Sequence, residues 1–217
     1  MMNIDIATIA IIAITCLVSF KGFSDFSFFE RYKFNVGALR RGEQVRMLSS
    51  GFLHADTVHL FFNMFTLYFF AQVVINDLGR VSFLLIYFGS LIAGNLLAFN
   101  FHKNEYHYSA IGASGAVTGV LYSAILLFPN MELYLFFIPI PITAWIFGIL
   151  YLGFSIYGMK NRLGNIGHSA HFGGAIGGYA LTLFMKPSLL TDDVFTVVVL
   201  AIPIIILFVL EKTGKLQ

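Results

Sequence analysis

The sequence predicts an all-α membrane protein, a polytopic helical bundle of seven spans, and three observations carry that expectation. Of 217 residues, 58% are hydrophobic and only 11% are charged, whereas soluble domains sit near ~45–50% apolar and ~25% charged. Thirteen basic and eleven acidic side chains cannot cover the surface of a water-soluble fold of this size. The apolar residues also gather into seven runs of 17 to 21 residues, the length at which a helix satisfies its own amides across ~30 Å of hydrocarbon. Finally, the single cysteine, Cys16, lies inside an apolar run, which excludes an internal disulfide framework and a multi-cysteine zinc site. The scarcity of charge excludes disorder, a coiled coil and a nucleic-acid partner together. Neither a linker nor a low-complexity stretch divides the chain, so one domain is expected over 1–217.

The spans are expected at 4–20, 57–76, 81–101, 112–128, 141–157, 166–185 and 194–210. The first lacks a basic segment before it and a small-residue cleavage site ahead of Lys21, so it reads as a retained helix rather than a signal peptide. Residues 21–56 form a long first loop with six of the thirteen basic residues, and with Phe23, Phe26, Phe28, Phe29 and Phe34 interspersed. That mixture suits a structured segment in the interface. After Pro129-Asn130, residues 131–138 are expected to be an extended surface piece. Pro139 and Pro141 then delay the fifth span to about Pro141. The seventh span is interrupted by Pro203.

Glycine is concentrated in two spans. Gly115 and Gly119 are four apart in the fourth, and Gly173, Gly174, Gly177 and Gly178 form overlapping small-xxx-small pairs in the sixth. Such faces let helix backbones approach where lipid supplies no hydrophobic drive between helices. Polar residues inside spans are costly and tend to be functional. They are His59 and Asn63 in the second span, Asn95 in the third, Ser114 in the fourth, and His168 and His171 in the sixth. Asn95 is expected to bond between helices. His59 and Asn63, four apart, share a helix face.

Ser114 sits in Gly112-Ala113-Ser114-Gly115, where small neighbours leave its hydroxyl and backbone N–H uncrowded. A hydroxyl, an imidazole on a second helix and donors on a third suffice for acyl transfer. The same residues are equally compatible with satisfied packing polars. No Asp or Glu occurs between Leu133 and Met185, and a carboxylate buried in lipid would be expensive to ionise. A hydrolase built from these residues is therefore expected to use a Ser–His dyad, without a metal or other cofactor.

These residues resemble the rhomboid intramembrane serine proteases. The run from His54 through His59 to Asn63 is similar to that family's second-helix pattern. Gly112-Ala113-Ser114-Gly115 resembles its Gly-x-Ser-Gly motif. Ala170-His171-Phe172-Gly173-Gly174, with Gly178 beyond, resembles its sixth-helix motif, and Gly42 to Arg46 resembles its first-loop Trp-Arg motif. The resemblance implies a six-helix core, about 1–186, plus one C-terminal helix. It makes Ser114 the nucleophile and His171 the general base, and builds an oxyanion hole from His59, Asn63 and the Ser114 N–H. Arg46, His54, Gly112, Gly115, Gly174 and Gly178 become structural neighbours of the site.

His168 lacks the following Gly-Gly and reads as a bystander; His102 and His107 read as solvated loop histidines. Two departures stand out. Val45 replaces the tryptophan, and Thr118 stands where the family often has an aromatic packed on the catalytic histidine. The implied partners are transmembrane protein substrates and the lipid bilayer, and the implied location is the bacterial cytoplasmic membrane. The family's orientation leaves only Arg80 and Lys186 inside and eleven basic residues outside, the reverse of the positive-inside rule. An inactive rhomboid-like protein that binds transmembrane helices is the main alternative, and a metal or haem protein using several of the six histidines is a further one.

Overall fold

Long apolar helices joined by short capped segments make up the described residues, 4–134, 140–161, 163 and 167–216 of a computed structural model. Helix α1 (Ile6–Ser24) starts at Asp5, whose carboxylate accepts from the Ala7 N–H at 2.8 Å. Asp25 closes α1 and caps α2 (Phe26–Tyr32) by accepting from the Phe28 N–H. Strand β1 (Phe34–Asn35), helix α3 (Val36–Arg40), helix α4 (Arg46–Ser49) and a 3₁₀ turn (Ser50–Phe52) follow. The first loop is thus built structure. Arg46, though charged, is buried, because its guanidinium donates to the Glu30 and Lys33 carbonyls, each at 2.8 Å, and pairs with Glu43 at 2.7 Å. The Val45 side chain, by contrast, is exposed.

Helix α5 runs Thr57–Phe101 but is broken at Gly79, whose φ of 84° only glycine adopts freely. His59 and Asn95 would lie about 54 Å apart on a straight helix, yet both line one cavity. The chain therefore folds back at Gly79, and residues 57–78 and 80–101 form the expected second and third helices. Ion pairs flank the reversal: Arg80 meets Asp5 at the start of α1, and Lys186 meets Asp77 at 2.8 Å. Strand β2 (Ser109–Ala110) pairs antiparallel with β1, Phe34 opposite Ala110, which ties the first loop to the chain entering helix α6 (Ser114–Leu127).

Several expectations shift here. The fifth helix, α7 (Ala144–Asn161), begins three residues after Pro141, because Ile142–Thr143 (β4) pairs with Glu132–Leu133 (β3) and holds that segment extended. Residues 135–139, with Pro139, lie outside the described residues. Helix α8 (His168–Met185) is followed by a short α9 (Leu189–Asp192) and by α10 (Val194–Lys212). Pro203 lies inside α10 without ending it, since a helix surrounded by lipid and neighbours tolerates one missing donor. Asn95 does bond between helices, from α5 to the short α4 and the 3₁₀ turn after it. Its amide donates to the Met47 carbonyl at 2.7 Å and to Ser50 Oγ at 3.1 Å, so it pins the first loop.

By length and composition, Ile6–Ser24, Thr57–Phe101 and Val194–Lys212 are able to cross a membrane. Their outward faces, with Leu17 at 72% and Val81 at 71% exposed, suit lipid and not water. The chain is an all-α membrane protein. Helix α6, of 14 residues, is the shorter exception, about 21 Å long, and it is buried along nearly its whole length by its neighbours.

Those neighbours touch it through backbone. A Cβ on Gly174 would meet the Gly115 carbonyl and come within 3.0 Å of Gly115 Cα; one on Gly178 would sit 2.6 Å from Gly119 Cα. Gly173 similarly faces Gly94 Cα at 2.9 Å, in the second half of α5. Gly178→Val should therefore lower the thermal midpoint in detergent sharply or prevent recovery of folded protein, since overpacking costs about 1–3 kcal/mol or more. Gly153→Ala, on α7 with open space around it, should leave the midpoint unchanged or raise it. Equal behaviour of the two variants would show that the contact between α6 and α8 is not what holds the bundle.

Candidate active site

The arrangement of side chains around the start of α6 is set by three segments that converge there. Gly112 has φ 117°, and a Cβ on it would lie 2.8 Å from His59 Cε1. Only glycine combines that backbone with that neighbour. Its N–H donates to the Ser50 carbonyl at 3.0 Å. Ala113 follows as the N-cap and Ser114 as the first helical residue, where backbone N–H groups have no intrahelical partner.

His54 holds this turn from behind. Its Nε2 accepts from the Ala113 N–H at 3.3 Å and its Nδ1 lies 2.9 Å from Ser19 Oγ, whose hydroxyl donates to the Phe52 carbonyl at 2.8 Å. The pattern requires Nδ1–H donating to Ser19 and an unprotonated Nε2. A Ser19–His54–Ala113 chain thus links α1 to the residue before Ser114.

On the facing helix, His171 lies in the first turn of α8, and its Nε2 is 2.5 Å from Ser114 Oγ. The other ring nitrogen, Nδ1, is 3.1 Å from the Tyr151 hydroxyl, which lies 3.1 Å from Thr118 Oγ1. The Tyr151 ring is stacked on the imidazole, with centroids 6.2 Å apart and planes 20° apart. Sequence reasoning missed Tyr151. A tyrosine in an apolar span carries no spacing signal, and only the missing aromatic at Thr118 hinted that a ring must come from elsewhere.

A cavity of about 460 Å³ opens beside Ser114, lined by His59, Asn95, Gly112, Gly115, Lys33 and Tyr108 among others. Ala55 and Ser109, both exposed, mark its mouth. His59 reaches it. Asn63 does not line it: the Asn63 amide donates to the His59 carbonyl at 3.1 Å within its own helix. Arg46 stays in the first loop, and Gly115, Gly174 and Gly178 lie in the contact between α6 and α8. His168 is buried beside Phe154, their rings 5.5 Å apart. His102 is not a solvated loop residue: it stacks on Tyr108 with centroids 3.5 Å apart and meets Glu105 at 3.3 Å.

Residues 41–188, well over half of the chain, match the Rhomboid domain. The chain belongs to the rhomboid family. Among its relatives, the rhomboid protein "Rhomboid protein 1, mitochondrial" of Saccharomyces cerevisiae is 32% identical over 62% of this chain and 40% of its own length. "Putative rhomboid protease YdcA" of Bacillus subtilis is 32% identical over 69% of this chain and 70% of its own. "Rhomboid protease GluP", also of Bacillus subtilis, is 33% identical over 65% of this chain and 26% of its own. The chain thus spans less than half the length of two of these rhomboid relatives.

Burial, and then the charge of the neighbouring His59, push His54 from the ordinary 6.5 down to about 3. The fold therefore holds the neutral ring, and protonated Nε2 would face the Ala113 N–H donor to donor. The stability this contributes is complete above the unfolded value near 6.5 and is lost as pH falls from there toward about 3. The thermal midpoint in detergent should drop between pH 7 and pH 5. His54→Ala should start lower at pH 7, because a buried N–H without an acceptor costs about 1–3 kcal/mol. It should also show a flatter pH dependence than wild type. Parallel pH profiles in the two proteins would remove His54 from this role.

Proposed function

We propose that this rhomboid is an intramembrane serine protease that cleaves peptide bonds in or near transmembrane segments of membrane proteins through a Ser114–His171 dyad. The observation that carries the reading is the 2.5 Å contact between His171 Nε2 and Ser114 Oγ, beside a cavity of about 460 Å³. In the first step Ser114 Oγ forms a bond to the scissile carbonyl carbon while its proton passes to His171 Nε2. The carbonyl electrons move onto oxygen. The Ser114 N–H at the start of α6 and the His59 ring are suited to hold that charge. Asn63, whose amide keeps a second N–H beyond the one given to the His59 carbonyl, is the third donor of this reading. Collapse of this adduct expels the amine, which takes the proton from the imidazolium. Water, activated by the same nitrogen, then releases the acyl chain.

The proposed assembly is six core helices plus α10, seven spans in all, in a cellular membrane, with the bacterial cytoplasmic membrane as the setting. Ser114→Ala and His171→Ala should each abolish cleavage of a transmembrane substrate while the protein stays folded, because hydroxyl and imidazole act as one unit. A fluorophosphonate should label wild type and not Ser114→Ala. Asn63→Ala should lose about 10²–10³ in rate, the effect of one oxyanion donor. Cleavage by the Ser114→Ala protein would refute the dyad.

The substrate follows from the same chemistry. A carbonyl inside a stable helix is hydrogen-bonded and shielded, so it reaches Ser114 only after local unwinding. Glycine lowers the cost of leaving helix by ~1 kcal/mol and proline by ~3, relative to alanine. Single-span substrates with such residues near one membrane boundary should be cut faster than versions with leucine there. Equal rates would indicate a site that accepts peptides without unwinding.

A further inference from the structure

We propose that Tyr151, on α7, is a positioning residue that takes the place of the absent carboxylate, fixing the tautomer and plane of His171. The effect on turnover rests on the protease reading above; the effect on the imidazole does not. For Nε2 to accept the Ser114 proton, it must carry the free lone pair, and the ring proton must sit on Nδ1. A donor at Nδ1 needs an acceptor, and no Asp or Glu exists between Leu133 and Met185 to provide one. The Tyr151 hydroxyl is at 3.1 Å, and its own proton has an acceptor in Thr118 Oγ1, also at 3.1 Å.

The four groups form a one-way relay: Ser114 O–H to Nε2, Nδ1–H to Tyr151 Oη, and Tyr151 O–H to Thr118. Thr118 is buried on α6 one turn beyond Ser114, so the relay leaves α6 at Ser114 and returns to it. The stacked Tyr151 ring fixes the imidazole plane at the same time. Thr118 is thus more than a lost aromatic. A bulky ring there would fill the place that the Tyr151 hydroxyl needs, and a small hydroxyl completes the relay.

Tyr151 in turn depends on how α7 is seated. The Tyr122 hydroxyl donates to the Gly148 carbonyl, a Cβ on Gly148 would meet Leu200 of α10 at 2.9 Å, and Trp145 packs edge-on against Phe195. The orientation of the base is therefore coupled to a helix outside the tight glycine contact.

The test is Tyr151→Phe, which keeps the ring and removes the acceptor, with Thr118→Val as a second variant that loosens the outer link alone. Nitrogen-15 NMR of histidine-labelled protein in detergent micelles should find His171 protonated at Nδ1 in wild type. It should find a mixture of tautomers in Tyr151→Phe, at a similar thermal midpoint. Turnover of a transmembrane substrate should fall roughly 10–100-fold, the scale found for outer hydrogen-bond partners of metal-bound histidines, with KM unchanged. Thr118→Val should move both readouts in the same direction by less. An unchanged His171 signal in Tyr151→Phe, or unchanged turnover in a cleaving protein, overturns the proposal. A wild-type protein that neither cleaves nor takes up fluorophosphonate overturns the protease reading instead, and the imidazole spectra still decide Tyr151.

Discussion

Contact of backbone on backbone between α6 and α8 is the constraint on which the rest of this molecule depends. The two helices run in the same direction, and glycines spaced four apart on each, Gly115 and Gly119 against Gly174 and Gly178, step past each other in register. Ser114 precedes the first of these glycines by one residue, and His171 precedes Gly174 by three. Once the glycines are in contact, the hydroxyl and the imidazole have little freedom but to meet. In lipid, where apolar side chains gain nothing by leaving their surroundings, this approach is stabilised by dispersion and close packing. A methyl group at Gly174 or Gly178 would separate the helices by more than a hydrogen bond can stretch.

The second requirement is a turn that presents Ser114 without burying it. Gly112 supplies the backbone, His59 the adjacent wall, and Ser50 and His54 the acceptors that satisfy the Gly112 and Ala113 N–H groups. Buried amides left without such partners would be costly in a low-dielectric interior. The first loop therefore does more than connect α1 to α5. Arg46 knots it to the Glu30 and Lys33 carbonyls, Asn95 fastens it to α5, and β1 fastens it to β2.

Much of this was legible in the sequence because polar and small residues stand out in an apolar chain. Ser114, His171, the glycine pairs and the reversal between 76 and 81 each interrupt hydropathy. The features that escaped notice do not interrupt it. Tyr151 is one of ten tyrosines and matters only because α7 turns it toward His171. Asn95 bonds between helices as expected, but its particular partners, Met47 on α4 and Ser50 after it, lie in a first loop whose path no periodicity encodes. The start of α7 differs from the expected Pro141 because β3 pairs with β4. Two residues on each side suffice for that pairing, and it leaves too short a pattern to read.

The Ser19–His54–Ala113 chain and the pairing of Phe34 with Ala110 also bear on where the working unit ends. The stretch that matches the Rhomboid domain begins at residue 41, yet Ser19 and Phe34 lie before it. The hydrogen bonds that steady the turn ahead of Ser114 therefore originate in a part of the chain the shared pattern does not include. A boundary drawn from sequence likeness would cut through the scaffolding and leave the turn before Ser114 unsupported. In this protein the inherited segment and the mechanical one are not the same length.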